Sequence, residues 1–217
     1  MNKFHVEDHL VFPTEIRIMR WETNPGFNAR LSMICAALFE QKIKDKRAYT
    51  AYNLWHETAA EILVLRDMFV EGMASYAEAF FAPGVMRDYD YEMHAWLRID
   101  KPRQVQAPHT HPGTNLVATY YSQADIAARK VEGTGYGDSV IEGDLVVMDP
   151  RPAALSRLTR AAKTMSISPE PGMMIIMPSW AMHWVNPVSA GDQRICIANN
   201  MNFRKRDSVH VKGSFTR

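Results

Sequence analysis

A mainly β fold of the double-stranded jelly-roll type, carrying N-terminal helices on the outside of one sheet, is predicted by three features of the sequence. Two amphipathic helical stripes fall before residue 88. At Tyr91 the apolar period changes from about 3.6 to 2, the change that separates a helix from a half-buried strand. Beyond it, about eight short apolar stretches are divided by Gly, Pro and Asn turns, a pattern of short strands that suits two facing sheets. With 217 residues and 47% hydrophobic content the chain can bury one sizeable core. It reads as a single domain over 1–217, with 1–88 a mainly helical support and 89–217 the jelly-roll core.

In chain order, Phe27, Leu31, Ile34 and Leu38 mark one face of a helix running to about Lys46. Ile62, Leu65, Phe69, Met73, Tyr76 and Phe80 continue a longer stripe until Pro83 and Gly84, whose missing N–H and free backbone end it. Such stripes are core surface, and these helices are expected against a sheet. Tyr91, Met93, Ala95, Leu97 and Ile99 then alternate with Glu92, His94, Trp96, Arg98 and Asp100. Further strands are expected at 116–121, 145–148, 164–168, 173–177, 184–188, 194–201 and 209–212. The stretch Gly133 to Gly137 is too short and wrongly placed for a dinucleotide fingerprint and reads as a loop flanking the site.

Formal charge is nearly balanced at +1, so no broad basic field of the kind that binds nucleic acid is present, and Arg204, Lys205 and Arg206 read as a solvated strand end. Cys35 and Cys196 are too few for a disulfide framework and sit in apolar periodic segments, as reduced core residues. The charged first residues lack a continuous apolar stretch, which argues against a signal peptide or membrane anchor and for a cytoplasmic protein.

The chemistry concentrates in three places. His109 and His111 are one residue apart, and alternate side chains of an extended segment share a side, so both can face one metal. His183 follows a buried apolar run and supplies a third nitrogen. Arg194 lies 11 residues further on, on an expected neighbouring strand, where a planar guanidinium can grip a carboxylate with two hydrogen bonds. Isolated histidines are more often structural, the reading given to His5, His9, His56 and His210. His94 shares a strand face with Trp96 and Arg98; that face either lines the pocket or covers the surface. Asp149, before Pro150 and Arg151, is a turn cap, a metal ligand or an orienter of a histidine N–H.

Four stretches resemble the Fe(II)- and 2-oxoglutarate-dependent oxygenase superfamily, in particular a bacterial and phage branch with an H-x-H-P motif. They are His9 to Thr14; His109-Thr110-His111-Pro112-Gly113-Thr114-Asn115 with Tyr120-Tyr121; Gly143-Asp144-Leu145 through Asp149-Pro150-Arg151; and Met177-Pro178-Ser179-Trp180 to His183 with Arg194-Ile195-Cys196-Ile197. They fall in family order across most of the chain.

The resemblance implies iron(II) on His109, His111 and His183, and 2-oxoglutarate anchored by Arg194, with Tyr121 or Tyr120 and Asn115 as further hydrogen-bonding residues. The superfamily's usual ligand set is two histidines and a carboxylate two residues after the first. Here that place is taken by His111. Three readings follow: an all-histidine triad, which the branch's own motif favours; a triad completed by a carboxylate such as Asp149; or a degenerate, non-catalytic site. The implied reaction oxidises, most often hydroxylates, an unactivated C–H bond of a small, amino-acid-like substrate with dioxygen, giving succinate and carbon dioxide. His111 argues against halogenation, which normally exploits a small residue at that place. Rival readings are a cupin-like three-histidine dioxygenase or isomerase without 2-oxoglutarate, and a binding protein without redox chemistry. No nucleic-acid or membrane partner is expected, and a homodimer through the N-terminal helices is left open.

Overall fold

The alternating stretch after Tyr89 forms one long strand in the computed structural model of the chain, which describes residues 13–24, 26–43, 49–100, 102–104, 106–125, 130–131, 140–151, 164–188 and 193–206. This strand, β2 (Tyr89–Asp100), follows β1 (Arg17–Arg20) and three helices, α1 (Phe27–Leu38), α2 (Ala60–Phe80) and the single turn α3 (Val85–Asp88). After it come β3 (Gln106–His109), β4 (Leu116–Asp125), β5 (Lys130–Val131), β6 (Val140–Ile141), β7 (Leu145–Met148), β8 (Thr164–Ile167), β9 (Met173–Pro178), β10 (His183–Val185) and β11 (Gln193–Lys205). The larger sheet has the order β1-β9-β4-β11-β2, the smaller the order β3-β10-β7-β8, and β5 pairs with β6 as a separate ribbon. All pairs are antiparallel.

The larger sheet is buried on both faces, and the period of 2 sorts its side chains between two cores. On one face, Ala95 and Leu97 of β2, Leu116, Ala118 and Tyr120 of β4, Met174 and Ile176 of β9, and Ile195 and Ile197 of β11 pack under the helices against Leu31, Leu65, Phe69 and Met73. On the other, Val117 and Tyr121, Ile175 and Met177, and Cys196 meet Leu145, Val147, Ile167 and Val185 of the smaller sheet. The N-terminal helices thus cover the outside of one sheet of a jelly roll. The functional side chains on β2 and β11 occupy the inner face, opposite the helices.

Several boundaries differ from the sequence reading. Helix α1 stops at Leu38 and continues as one wide π turn, Phe39–Ile43, instead of as an α-helix to Lys46. The strand expected at 184–188 is β10, shorter and one residue earlier. Strands β1, β3, β5 and β6 were not expected. Pro108 breaks the strand pattern of β3, yet β3 is a sheet edge, where a missing N–H costs no ladder bond. The strand expected at 209–212, the loop 133–137 and His9 to Phe12 lie outside the described residues. Cys35 and Cys196 are free and buried, and burial pushes their thiols up to about 12 and about 11, so neither is a reactive thiolate at neutral pH. Among the described residues no helix is long and apolar enough to cross a membrane.

Candidate metal and cosubstrate site

The smaller sheet brings the histidines together by register. His109 ends β3, His183 begins β10, and the two are direct cross-strand partners with ring centroids 4.4 Å apart. His111 lies two residues past His109, in the loop, where its backbone N–H donates to the Ser179 carbonyl at 2.9 Å. Its ring is 5.4 Å from that of His109 and stacks at 5.2 Å on that of His183. One nitrogen from each ring falls within 4.8 Å of the others.

Hydrogen bonding decides which nitrogens converge. Nδ1 of His109 meets the Ala107 carbonyl at 2.8 Å, Nδ1 of His183 meets the Ala181 carbonyl at 2.8 Å, and Nδ1 of His111 meets Oδ1 of Asn200 at 2.9 Å. These oxygens only accept, so each Nδ1 carries the proton and each Nε2 keeps its lone pair. Three oriented, neutral imidazoles facing one point fit a divalent metal. Burial depresses the basicity of His183 to about 4 and, with the neighbouring His109, lowers that of His111, so no proton need leave them at neutral pH.

That depression has a sign that can be tested in metal-free protein. Between pH 6.5 and 4 the unfolded chain protonates this histidine and the folded chain does not, so stability is lost as pH falls through this window. For His183 the loss is expected to be about 3 kcal/mol. Denaturant unfolding of the chelator-treated protein at pH 7 and pH 4.5 should show a larger drop than in His183→Gln.

Asp149 does not join the cluster. Its carboxylate accepts from Arg151 Nε at 2.9 Å and from the Arg151 backbone N–H at 3.0 Å, and these bonds hold its pKa down at about 2. The turn-cap reading describes this geometry.

Beside the triad a cavity is walled by Trp96, Thr119, Tyr121, Leu145, Val185 and Cys196, with Arg98 and Arg194 at its polar end. Arg194 is only 2% exposed. Its Nε donates to Oδ2 of Asp100 at 2.8 Å, Nη2 donates to the same carboxylate, and Nη1 donates to the Gly143 carbonyl at 2.9 Å. Arg194 and Asp100 are direct cross-strand partners on β11 and β2. Arg98 donates to the other carboxylate oxygen of Asp100 at 2.7 Å. Burial pushes the Asp100 carboxyl up, and the two guanidinium groups outweigh it, leaving it below its ordinary range. Two cations around one carboxylate leave this end of the cavity net positive, suited to an incoming anion.

The remaining expected residues separate cleanly. Tyr121 lines the cavity, whereas Tyr120 points to the helical face and donates to Asn28 at 2.7 Å. Asn115 is exposed, and its Oδ1 accepts from the Phe203 N–H at 2.8 Å, away from the cavity wall. Trp96 and Arg98 line the cavity, while His94 reaches the Thr50 carbonyl at 2.7 Å near the outer end of the same face. Sequence reasoning passed over two residues, Asp100 and Asn200. Asp100 lay on the same alternating face as Trp96 and Arg98, and that was the signal available.

Residues 94–200, from His94 through Asn200 and so enclosing the triad and Arg194, match the model of a family of 2OG-Fe(II) oxygenases. The chain belongs to the 2OG-Fe(II) oxygenase superfamily. By class it is a 2-oxoglutarate-dependent, non-haem iron dioxygenase. Solved structures of this superfamily share its fold. A prolyl-4-hydroxylase from Pseudomonas putida is 14% identical, with 89% of each chain covered and a TM-score of 0.56. A prolyl hydroxylase from Trichoplax adhaerens, in complex with a hypoxia inducible factor oxygen degradation domain peptide fragment, is 11% identical over 86% of this chain and 83% of that one, with a TM-score of 0.59. HygX from Streptomyces hygroscopicus, with nickel and 2-oxoglutarate bound, is 9% identical over 87% and 82%, with a TM-score of 0.53. No curated protein matches the chain in sequence.

Proposed function

We propose that His109, His111 and His183 hold the iron(II) of this oxygenase, that Arg194 takes the distal carboxylate of 2-oxoglutarate, and that the reaction hydroxylates an unactivated C–H bond of a small, amino-acid-like substrate. One observation carries the reading: one nitrogen from each of three histidines falls within 4.8 Å of the others, and two of those histidines, His109 and His111, line the same cavity as the buried guanidinium of Arg194. Two of the structures sharing the fold are prolyl hydroxylases by name, which supports hydroxylation as the outcome. Iron(II) and 2-oxoglutarate together supply dioxygen activation, with one oxygen atom going to the substrate and the other to succinate as carbon dioxide leaves.

The chain's own residues do the rest. The triad leaves part of the metal's coordination sphere to small ligands. Arg194 is aimed by Asp100 and Gly143, which engage three of its five N–H groups and leave one on each terminal nitrogen. Two parallel N–H donors are what a carboxylate binds best. Leu145, Val185 and Cys196 make the cavity wall apolar, which strengthens that ion contact by excluding water. Asn115 has no place in this arrangement; Tyr121 has one, as a wall beside Arg194.

Anaerobic titration of apoprotein with iron(II) and then 2-oxoglutarate is the test, read by the visible metal-to-ligand charge-transfer band of the chelate. The band should appear, and Arg194→Ala should weaken 2-oxoglutarate binding by about 100-fold while changing iron affinity little, as expected for a buried charge-assisted contact of about 3 kcal/mol. Tight iron binding without a band would instead point to a three-histidine enzyme that uses no 2-oxoglutarate.

A further inference from the structure

His111 is held differently from its two partners. His109 and His183 each donate Nδ1–H to a carbonyl two residues upstream, so backbone next to each in sequence orients it. His111 lies beyond the end of β3, and its Nδ1–H goes to a side chain 89 residues away, Asn200 on β11. From there we infer that Asn200 is the positioning residue that makes a histidine serviceable where a carboxylate more often ligates, by selecting the His111 tautomer whose Nε2 faces the metal. The inference rests on the triad proposed above.

The physical need is specific to this substitution of ligand type. A carboxylate presents an acceptor oxygen whichever way it turns, whereas a neutral imidazole presents a lone pair at only one of two nitrogens. Among the described residues nothing local fixes that choice at His111, whose backbone N–H donates to the Ser179 carbonyl. Trp96 stacks on the His111 ring at 5.7 Å and 23°, which sets the ring plane but is indifferent to its tautomer. Asn200 supplies the missing selection. It is itself held by strand register, paired with His94 on β2 and Val117 on β4.

The same strand is pinned from behind. Asn199 points to the helical face and is fully buried; its Oδ1 accepts from Trp55 Nε1 at 2.8 Å, and its Nδ2 reaches Met73 Sδ at 3.0 Å. Consecutive asparagines on opposite faces of β11 thus tie the 54–56 turn and α2 to the orientation of a ligand. This gives the N-terminal layer a part in the site as well as in the core.

Cobalt(II) binding to apoprotein, followed by its visible ligand-field absorption, tests this without turnover. Asn200→Leu should weaken cobalt binding by about 10- to 100-fold, the usual effect of losing a residue that orients a ligand. Asn200→Asp, which keeps an acceptor in place, should bind at least as tightly as wild type. In a His111→Asp background, where no tautomer needs selecting, Asn200→Leu should change affinity less than about threefold, since that selection is then worth nothing. An equal loss in both backgrounds, or none in either, overturns the inference; Asn200→Ala replaces the leucine variant if the latter does not fold. Should His183→Ala leave wild-type cobalt affinity untouched, the triad itself fails, and this inference with it.

Discussion

Replacing His183 by Ala should lower iron(II) affinity by about 100-fold or more, a larger effect than loss of any orienting residue, which costs 10- to 100-fold. His183 is 5% exposed, sits at the start of β10 against β3 and β7, and is the one member of the triad that stands between two strands. Its removal leaves His109 and His111, one residue apart in sequence and both half-buried, to hold a metal with the remaining positions filled by water. Two imidazoles on a short segment make a far weaker site than three fixed by separate hydrogen bonds. Competition against a chromophoric chelator under anaerobic conditions measures the change, and circular dichroism shows that the fold is kept. Asp149→Asn is the companion variant. Because its carboxylate is engaged by Arg151, its iron affinity should match wild type. An Asp149 variant that loses iron, or a His183 variant that keeps it, would return the carboxylate-completed triad to consideration.

Those two variants address what the sequence showed and what it left open. The alternation from Tyr91 to Asp100 was readable because, over its inner part, one face meets helices and the other the cavity, with Ala95 and Leu97 toward the helices and Trp96 and Arg98 toward the site. His109, His111 and His183, the proposed ligands, were readable as a group because two of them lie one residue apart and the third follows a buried apolar run. The carboxylate question was not, since Asp149 precedes a proline and its commitment to Arg151 depends on a turn that periodicity does not describe. Asn115 is the opposite case. It follows the ligand segment closely in sequence, but the loop between β3 and β4 turns its side chain toward Phe203 on the outer end of β11. Sequence proximity to a ligand carries no information about the side a loop residue faces. The partnership of Arg194 with Asp100 was hidden for a further reason: it is set by the register of two strands whose paired residues lie 94 positions apart, a long-range alignment with no local signature.

That partnership should make Asp100→Asn the most destabilising single change in the site, by about 3 to 5 kcal/mol, because it leaves two guanidinium groups around a neutral amide in a place nearly closed to water. The cost belongs to the orphaned cations and not to the pair as such. Replacing both members of the Asp100–Arg194 pair by apolar side chains of similar size, as Asp100→Leu with Arg194→Met, should recover the share of the loss that comes from the more deeply buried Arg194, since the desolvation of two charges offsets much of their attraction, while Arg98, 14% exposed against 2%, keeps access to water. Denaturant unfolding of wild type, both single variants and the double variant gives the coupling directly. The pH dependence follows from the same geometry. Asp100 titrates below its ordinary range in the folded chain, so the stability that its ionised form contributes is present at neutral pH and disappears as pH falls through that lowered value. The wild-type and Asp100→Asn unfolding free energies should therefore converge on acidification. The double variant separates two reasons for keeping a buried ion pair. If it is as stable as wild type yet shows no charge-transfer band with iron(II) and 2-oxoglutarate, the pair is retained to aim Arg194 at an anion. If it is several kcal/mol less stable, the pair is holding β2 to β11, and the orientation of Arg194 is a consequence of that structural duty.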